Sequence, residues 1–165
     1  MGLSTGAQEF IASMNSLLKE DLLVAADQLA VPVRFTTGAI STDVILGGGL
    51  PGNQWIEVVG KSSAGKTFFV LKAIAANQAL DPDFTALWVA AEHYNHEWAE
   101  ALGVDNSRVV VVPTQQMEKA FQVMLEATSS MKFDAIVLDS FPALLPSEEA
   151  EKAMDEFTTA VGART

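Results

Sequence analysis

A parallel α/β fold, with one sheet flanked by helices and a helical arm ahead of it, is what this sequence predicts. Three observations carry the prediction. A glycine-rich octapeptide, Gly60-Lys61-Ser62-Ser63-Ala64-Gly65-Lys66-Thr67, lies between an apolar run at 55–59 and a stretch free of Gly and Pro at 68–80. Further apolar runs at 85–91, 108–112 and 135–138 are nearly continuous rather than alternating, as in strands covered on both faces. Segments of helical character, 94–102 and 116–130, lie between those runs. Such alternation implies crossover connections and a parallel sheet.

Taken in order, residues 7–30 read as a separate helix. Phe10, Met14, Leu17 and Leu18 recur at helical spacing, Leu22, Ala25, Ala26 and Leu29 continue the stripe, and Val31-Pro32 ends it. Such a helix either caps its own core or docks on a neighbouring subunit. Residues 36–50 carry Thr37-Gly38, Asp43 and Gly47-Gly48-Gly49 before Pro51-Gly52, a loop-rich approach to the first strand. That strand is Trp55-Ile56-Glu57-Val58-Val59, and the helix after the octapeptide runs over 68–80. In 116–130, Met117, Ala120, Phe121, Met124 and Leu125 share one face, an ordinary core stripe. The chain holds no internal repeat and no low-complexity tract.

Composition excludes several classes. The 165 residues, 49% of them hydrophobic, suffice for one core. With no cysteine there is neither a disulfide scaffold nor a thiolate metal site, which fits a reducing cytoplasm, and a cytoplasmic location is expected. No apolar run approaches the roughly 20 residues of a membrane span, and the N-terminus lacks a signal peptide's basic start and apolar block. A net charge of −11 argues against a surface coated in non-specific nucleic-acid contacts, while leaving room for DNA at a local basic site.

The octapeptide fits G-x-x-x-x-G-K-[ST] in the setting of strand, loop and helix that gives the pattern its meaning. Such a loop turns its backbone N–H groups toward one point, and the helix N-terminus adds partial positive charge. A nucleoside triphosphate is the expected ligand. Lys66 reaches the β- and γ-phosphates and the Thr67 hydroxyl ligates Mg²⁺ in that reading. A second motif, Phe133-Asp134-Ala135-Ile136-Val137-Leu138-Asp139-Ser140, puts Asp139 at the tip of a buried run. Coupled to the octapeptide, it reads as the Walker B carboxylate that holds the Mg²⁺ shell through water. Glu92 follows Ala86-Leu87-Trp88-Val89-Ala90-Ala91 at the carboxyl end of an inner strand, the edge where open parallel sheets bind ligands. On the residues alone it is either a base for an attacking water or a surface glutamate at a strand exit. His93 and His96 bracket Tyr94-Asn95 without a third suitable ligand, and a metal site there is not expected.

The ordered series Thr37-Gly38-x-x-Ser41-x-Asp43, Leu46-Gly47-Gly48-Gly49-Leu50-Pro51 and Glu57-x-x-Gly60 with its octapeptide resembles the opening of the RecA recombinase core. Ala91-Glu92-His93, Leu102-Gly103-Val104-Asp105, Val137-Leu138-Asp139-Ser140 and Ala143-Leu144-x-Pro146 continue it in order and at similar spacing. The resemblance covers about four-fifths of the chain, from residue 36 to the end, and its Glu-His pair points to the bacterial branch or a phage version of it.

The resemblance implies an ATP- and Mg²⁺-binding core at 36–165 behind an N-terminal arm at 1–35. Gly60, Lys61, Ser62, Ser63, Ala64, Gly65, Lys66 and Thr67 would cradle the phosphates, with Thr67 and Asp139 serving the metal. It gives Glu92 the place of the family's catalytic glutamate, beside Lys66. Trp98 falls where the family stacks a tyrosine on adenine, if one residue is deleted before it; otherwise it is a core aromatic. Ser140 follows the Walker B Asp as in the family. The arm matches the family's subunit-docking helix, implying self-association into a filament through that helix and the nucleotide interface. Lys61-Ser62 depart from the Pro-Glu usual in bacterial members, where nucleotide state is coupled to filament state.

The family core continues beyond this chain. Residues 152–159 fall at its first DNA-binding loop, and Arg164 aligns with a basic residue just after it. The second DNA loop and the remaining strands would lie further on, so the sheet is expected to be incomplete, with a second chain as one way of completing it. Two functions follow from the resemblance. One is the ATPase subunit of a recombinase acting on single-stranded DNA in homologous recombination and repair, hydrolysing ATP alone or with a partner chain. The other is a nucleotide-binding module with a regulatory or partner-binding role and no strand exchange.

Overall fold

The computed structural model describes residues 2–29 and 33–147. The chain divides into two compact units, Met1–Val33 and Arg34–Thr165. In the first, helix α1 spans Thr5–Leu18, with the Ser4 hydroxyl accepting from the Ala7 N–H at its start. The helix expected over 7–30 is therefore shorter. Lys19 adopts a left-handed conformation (φ 56°) and closes α1 through its N–H to the Asn15 carbonyl. The Asn15 side chain then clamps both backbone groups of Leu23 at 2.8 Å. A local side-chain clamp of this kind offers the backbone an alternative to further helix. Among the described residues beyond it in this unit one 3₁₀ turn forms, Ala26–Gln28. α1 buries none of its residues, and Phe10 and Leu17 of its apolar stripe are exposed.

The second unit opens with strand β1 (Arg34–Phe35), antiparallel to β2 (Leu50–Pro51). Between them, where the sequence suggests loop, a short helix α2 spans Ile40–Ile45. Asp43 explains it. Its carboxylate accepts the Thr36 hydroxyl together with the Thr37 N–H at 2.7 Å and the Thr37 hydroxyl at 2.6 Å, folding the chain back on itself. Gly49 is required just beyond: at φ 109° a Cβ there would run into the Phe35 carbonyl oxygen.

The main sheet and its helices follow as α3 (Lys66–Leu80), β3 (Ala86–Ala90), α4 (His96–Ala101), β4 (Val109–Pro113), α5 (Met117–Ser130) and β5 (Ala135–Asp139). Strand order is β4-β3-β5, all parallel, as the alternation of runs and helices predicts. Ala86, Trp88 and Ala90 of β3 pack against Leu71, Ile74 and Ala75 of α3 and Ala99 of α4. Leu87 and Val89 point to the other face, against Ala120, Met124 and Ala127 of α5. This division is the two-residue pleat of a strand covered on both faces. β3 is buried along its whole length, whereas β4 and β5 are only partly covered.

The strand expected at 55–59 does not form. The segment has no ladder partner among the described residues, and Trp55 (76% exposed) and Val59 (80%) stand in solvent. An extended apolar run becomes a strand only when neighbouring backbone takes up its N–H and C=O groups. Both edges of β3 are taken, and among the described residues no strand lies along the outer edge of β5. No helix among the described residues is long and apolar enough to cross a membrane.

Candidate functional site

The register brings the tips of the three strands level, with Ala90 opposite Pro113 on one side and Asp139 on the other. Side-chain parity then decides where the carboxylate points. Ala135 and Val137 pack on the α3 side of the sheet, so Asp139, two residues further, faces α3 as well. There it meets the start of α3. The Thr67 hydroxyl donates to Asp139 Oδ2 at 2.8 Å, a contact between residues 72 apart in sequence.

The loop before α3 gets its shape from two left-handed residues, Ser63 (φ 59°) and Gly65 (φ 88°), the second standing at the helix N-cap. The leading N–H groups of α3 lack intrahelical partners, as at any helix start, and face the loop. Lys66 folds its ammonium over the same loop, donating to the carbonyls of Gly60 and Lys61 at 3.1 Å each. Gly60, Lys61, Ser62, Ser63, Ala64 and Gly65 are all exposed, so an anion has open access.

Glu92 stands two residues past the end of β3, and two hydrogen bonds hold it to the tip of β5. Its N–H donates to the Asp139 carbonyl at 3.0 Å, and its Oε1 accepts the Ser140 hydroxyl at 2.6 Å. Lys66, Thr67, Asp139 and Glu92, picked out separately in the sequence, thus gather around the β5 tip and the start of α3. The Ser140–Glu92 contact is one that motif reading misses, because 48 residues separate the partners and Ser140 stands out only as the neighbour of Asp139.

Beside Glu92 opens a cleft of about 390 Å³, lined also by His93, Tyr94, His96, Asn106 and Pro113. The Tyr94 hydroxyl donates to Asn106 Oδ1 at 2.8 Å, and Asn106 donates in turn to the His96 carbonyl at 3.0 Å. Burial raises the Tyr94 phenol above its ordinary value, which keeps it a donor. Trp98 lies on α4 outside this lining, 40% exposed, with its backbone N–H capped by Asn95 Oδ1. Arg164 and the segment 152–159 lie outside the described residues.

Oxygen is the only donor type at the Thr67–Asp139 pair, one hydroxyl and one carboxylate. Hard oxygen donors, few in number, suit Mg²⁺, which keeps several waters and takes phosphate oxygens for its other positions. Among the described residues no group of three or more His, Asp or Glu side chains gathers to hold a metal unaided.

A family model described as the RecA N-terminal domain matches residues 15–165. The chain belongs to the RecA family. Curated relatives named Protein RecA include one from Synechocystis sp., 38% identical over 130 residues, covering 78% of this chain and 36% of that protein. The protein of the same name from Saccharopolyspora erythraea is 37% identical over 149 residues, covering 88% of this chain and 42% of its own. A third, from Mycobacterium ulcerans, is 35% identical over 149 residues. The matched part of the chain therefore spans less than half the length of these RecA relatives, 36% of the first and 42% of the second. The resemblance to the N-terminal portion of the RecA core, drawn from the order of motifs, agrees with the family match.

Proposed function

We propose that this chain is the ATP-binding portion of a RecA-type recombinase, a Mg²⁺-dependent ATPase working on single-stranded DNA in recombination and repair. The observation that carries the reading is the 2.8 Å contact between Thr67 and Asp139 beside a glycine loop, with Glu92 tied to the same strand tip. The loop N–H groups and Lys66 take the triphosphate, Lys66 exchanging its two carbonyl contacts for β- and γ-phosphate oxygens. Thr67 would ligate Mg²⁺ and Asp139 would hold it through water, and the ion would supply positive charge against that developing on the phosphates. Glu92 takes a proton from a water as that water's oxygen bonds to the γ-phosphorus. The bond from the γ-phosphorus to the bridging oxygen breaks, and ADP leaves with that electron pair. Trp98, exposed on α4, is the proposed platform for adenine.

The relatives named Protein RecA support a recombination role, and the exposed apolar residues of α1 suit docking on another copy in a filament. The outer edge of β5, along which no strand lies among the described residues, suits completion of the core by further strands, from this protein or a second chain. Arg164 is the proposed DNA contact. The net charge of −11 favours a second reading, a nucleotide-binding module with a regulatory role and no strand exchange.

Phosphate release by the purified chain with Mg²⁺ and ATP, with and without single-stranded DNA, tests the proposal. DNA-stimulated release that disappears in Glu92→Gln is expected. Release indifferent to DNA would favour the regulatory module, and release unchanged in Glu92→Gln would remove Glu92 from its role.

A further inference from the structure

We propose that Ser140 is the positioning residue for Glu92, orienting its carboxylate for the attacking water; the inference rests on the hydrolase reading above. Glu92 is exposed, and a free glutamate side chain in solvent samples many rotamers. Here it does not stand free. Its main chain is tied to β5 by the N–H donated to the Asp139 carbonyl at 3.0 Å, and the Ser140 hydroxyl then takes Oε1 at 2.6 Å. A charge-assisted bond of that length commits one carboxylate oxygen and leaves Oε2 to accept a proton from water.

The partner's identity gives the contact its sense. Asp139, whose Oδ2 receives the Thr67 hydroxyl, and Ser140, whose hydroxyl reaches Glu92, are consecutive residues. One dipeptide at the end of β5 therefore holds the oxygen assigned to the metal shell and the group that orients the base. Fixing both to a single backbone segment holds the Glu92 carboxylate in a set position relative to the Asp139 carboxylate, the kind of second contact that catalytic geometry needs. Ser140 is itself half-buried at the strand end, which limits its own freedom. Among the described residues its hydroxyl bonds to Glu92, whereas Lys66 bonds to the carbonyls of Gly60 and Lys61, so its effect is expected on the orientation of Glu92 and not on phosphate binding.

The test uses the whole chain with its glutamates labelled at the carboxyl carbon with ¹³C, and the Glu92 signal is assigned by its loss in Glu92→Gln. In the nucleotide-free chain at pH 7, Ser140→Ala is expected to move that signal, whereas Ser140→Thr, which keeps the hydroxyl, leaves it near its original position. Circular dichroism establishes that each variant is folded. With Mg²⁺ and ATP, single-turnover hydrolysis by Ser140→Ala should fall roughly 10- to 100-fold while affinity for a fluorescent ATP analogue stays within about twofold. Ser140→Thr should recover most of the rate. An unmoved Glu92 signal in Ser140→Ala, or a rate equal to that of the parent chain, would overturn the inference. Absence of hydrolysis by the parent chain would overturn the hydrolase reading, and the carboxyl signal would then judge the contact by itself.

Discussion

Thr67→Ala, Asp139→Ala and the double variant form a thermodynamic cycle around the contact on which the site depends. In the free chain the Thr67 hydroxyl donates to a carboxylate at 2.8 Å, and both residues are half-buried. Hydrogen bonds to charged groups contribute about 1.5–3 kcal/mol. Solvent reaches this pair, so the coupling should fall below that range, at about 1 kcal/mol. In a chain of this size a change of that order moves the melting midpoint by about 2–4 °C. Urea unfolding followed by tryptophan fluorescence and circular dichroism measures all four corners. The single variants should each lose stability and the double should lose less than their sum. Thr67→Ser, which keeps the donor, should match the parent. Nucleotide binding extends the cycle: because both residues are assigned to one ion, each substitution should reduce the gain in affinity that Mg²⁺ brings, and the second should add little to the first. A coupling within about 0.3 kcal/mol of zero would refute the contact. Full Mg²⁺ dependence in both single variants would refute the metal assignment.

Three further outcomes are expected. Trp88, 2% exposed and packed with its ring centroid 5.3 Å from that of Tyr94, anchors the α3 face of the sheet. Trp88→Ala should cost about 3–5 kcal/mol in urea unfolding. Gly49→Ala should destabilise by about 1–3 kcal/mol, because alanine is strained at φ 109° and its methyl group meets the Phe35 carbonyl. Three carboxylates lie below their ordinary values: Asp43 through the Thr36 and Thr37 hydroxyls and the Thr37 N–H, Asp105 through the Ser107 hydroxyl and Arg108, and Glu118 through the Ser147 N–H and hydroxyl. A depressed folded-state value means that the stabilisation is present above the unfolded-state value and is lost as pH falls through the folded one. Unfolding free energy should therefore change little from these groups above about pH 5 and decline below about pH 4, with Asp43→Asn showing a shallower acid limb.

What the sequence discloses and what it hides divide along the range of the forces involved. Strands β3 to β5 and helices α3 and α5 stand out because continuous apolar runs and helical spacing are local signals, and the structure keeps them to within a residue or two. Asp139 and Thr67 meet because the pleat sends odd-numbered residues of β5 toward α3, so the motif and the parity agree. The failures are equally specific. The apolar run at 55–59 looks like a strand, but pairing depends on a neighbour that the run itself does not encode. The stripe at 7–30 looks like one helix, yet Asn15 and Lys19 end it after Leu18 with contacts that periodicity does not register. Helix α2 hides in a glycine-rich stretch because its organiser is the Asp43 carboxylate. The bond from Ser140 to Glu92 is invisible to motif reading, since it arises only when β3 and β5 lie side by side.

The central claim is that the loop from Gly60 to Thr67 holds a Mg²⁺–nucleoside triphosphate. Titration of the chain with ATP in a calorimeter, with Mg²⁺ and with chelator, and with Lys66→Ala alongside, tests it most directly. One saturable site is expected, tighter with Mg²⁺ and weakened roughly 30-fold or more in Lys66→Ala, as loss of a charge-assisted phosphate contact requires. No saturable heat, or an unchanged affinity in Lys66→Ala, would contradict the account at its base.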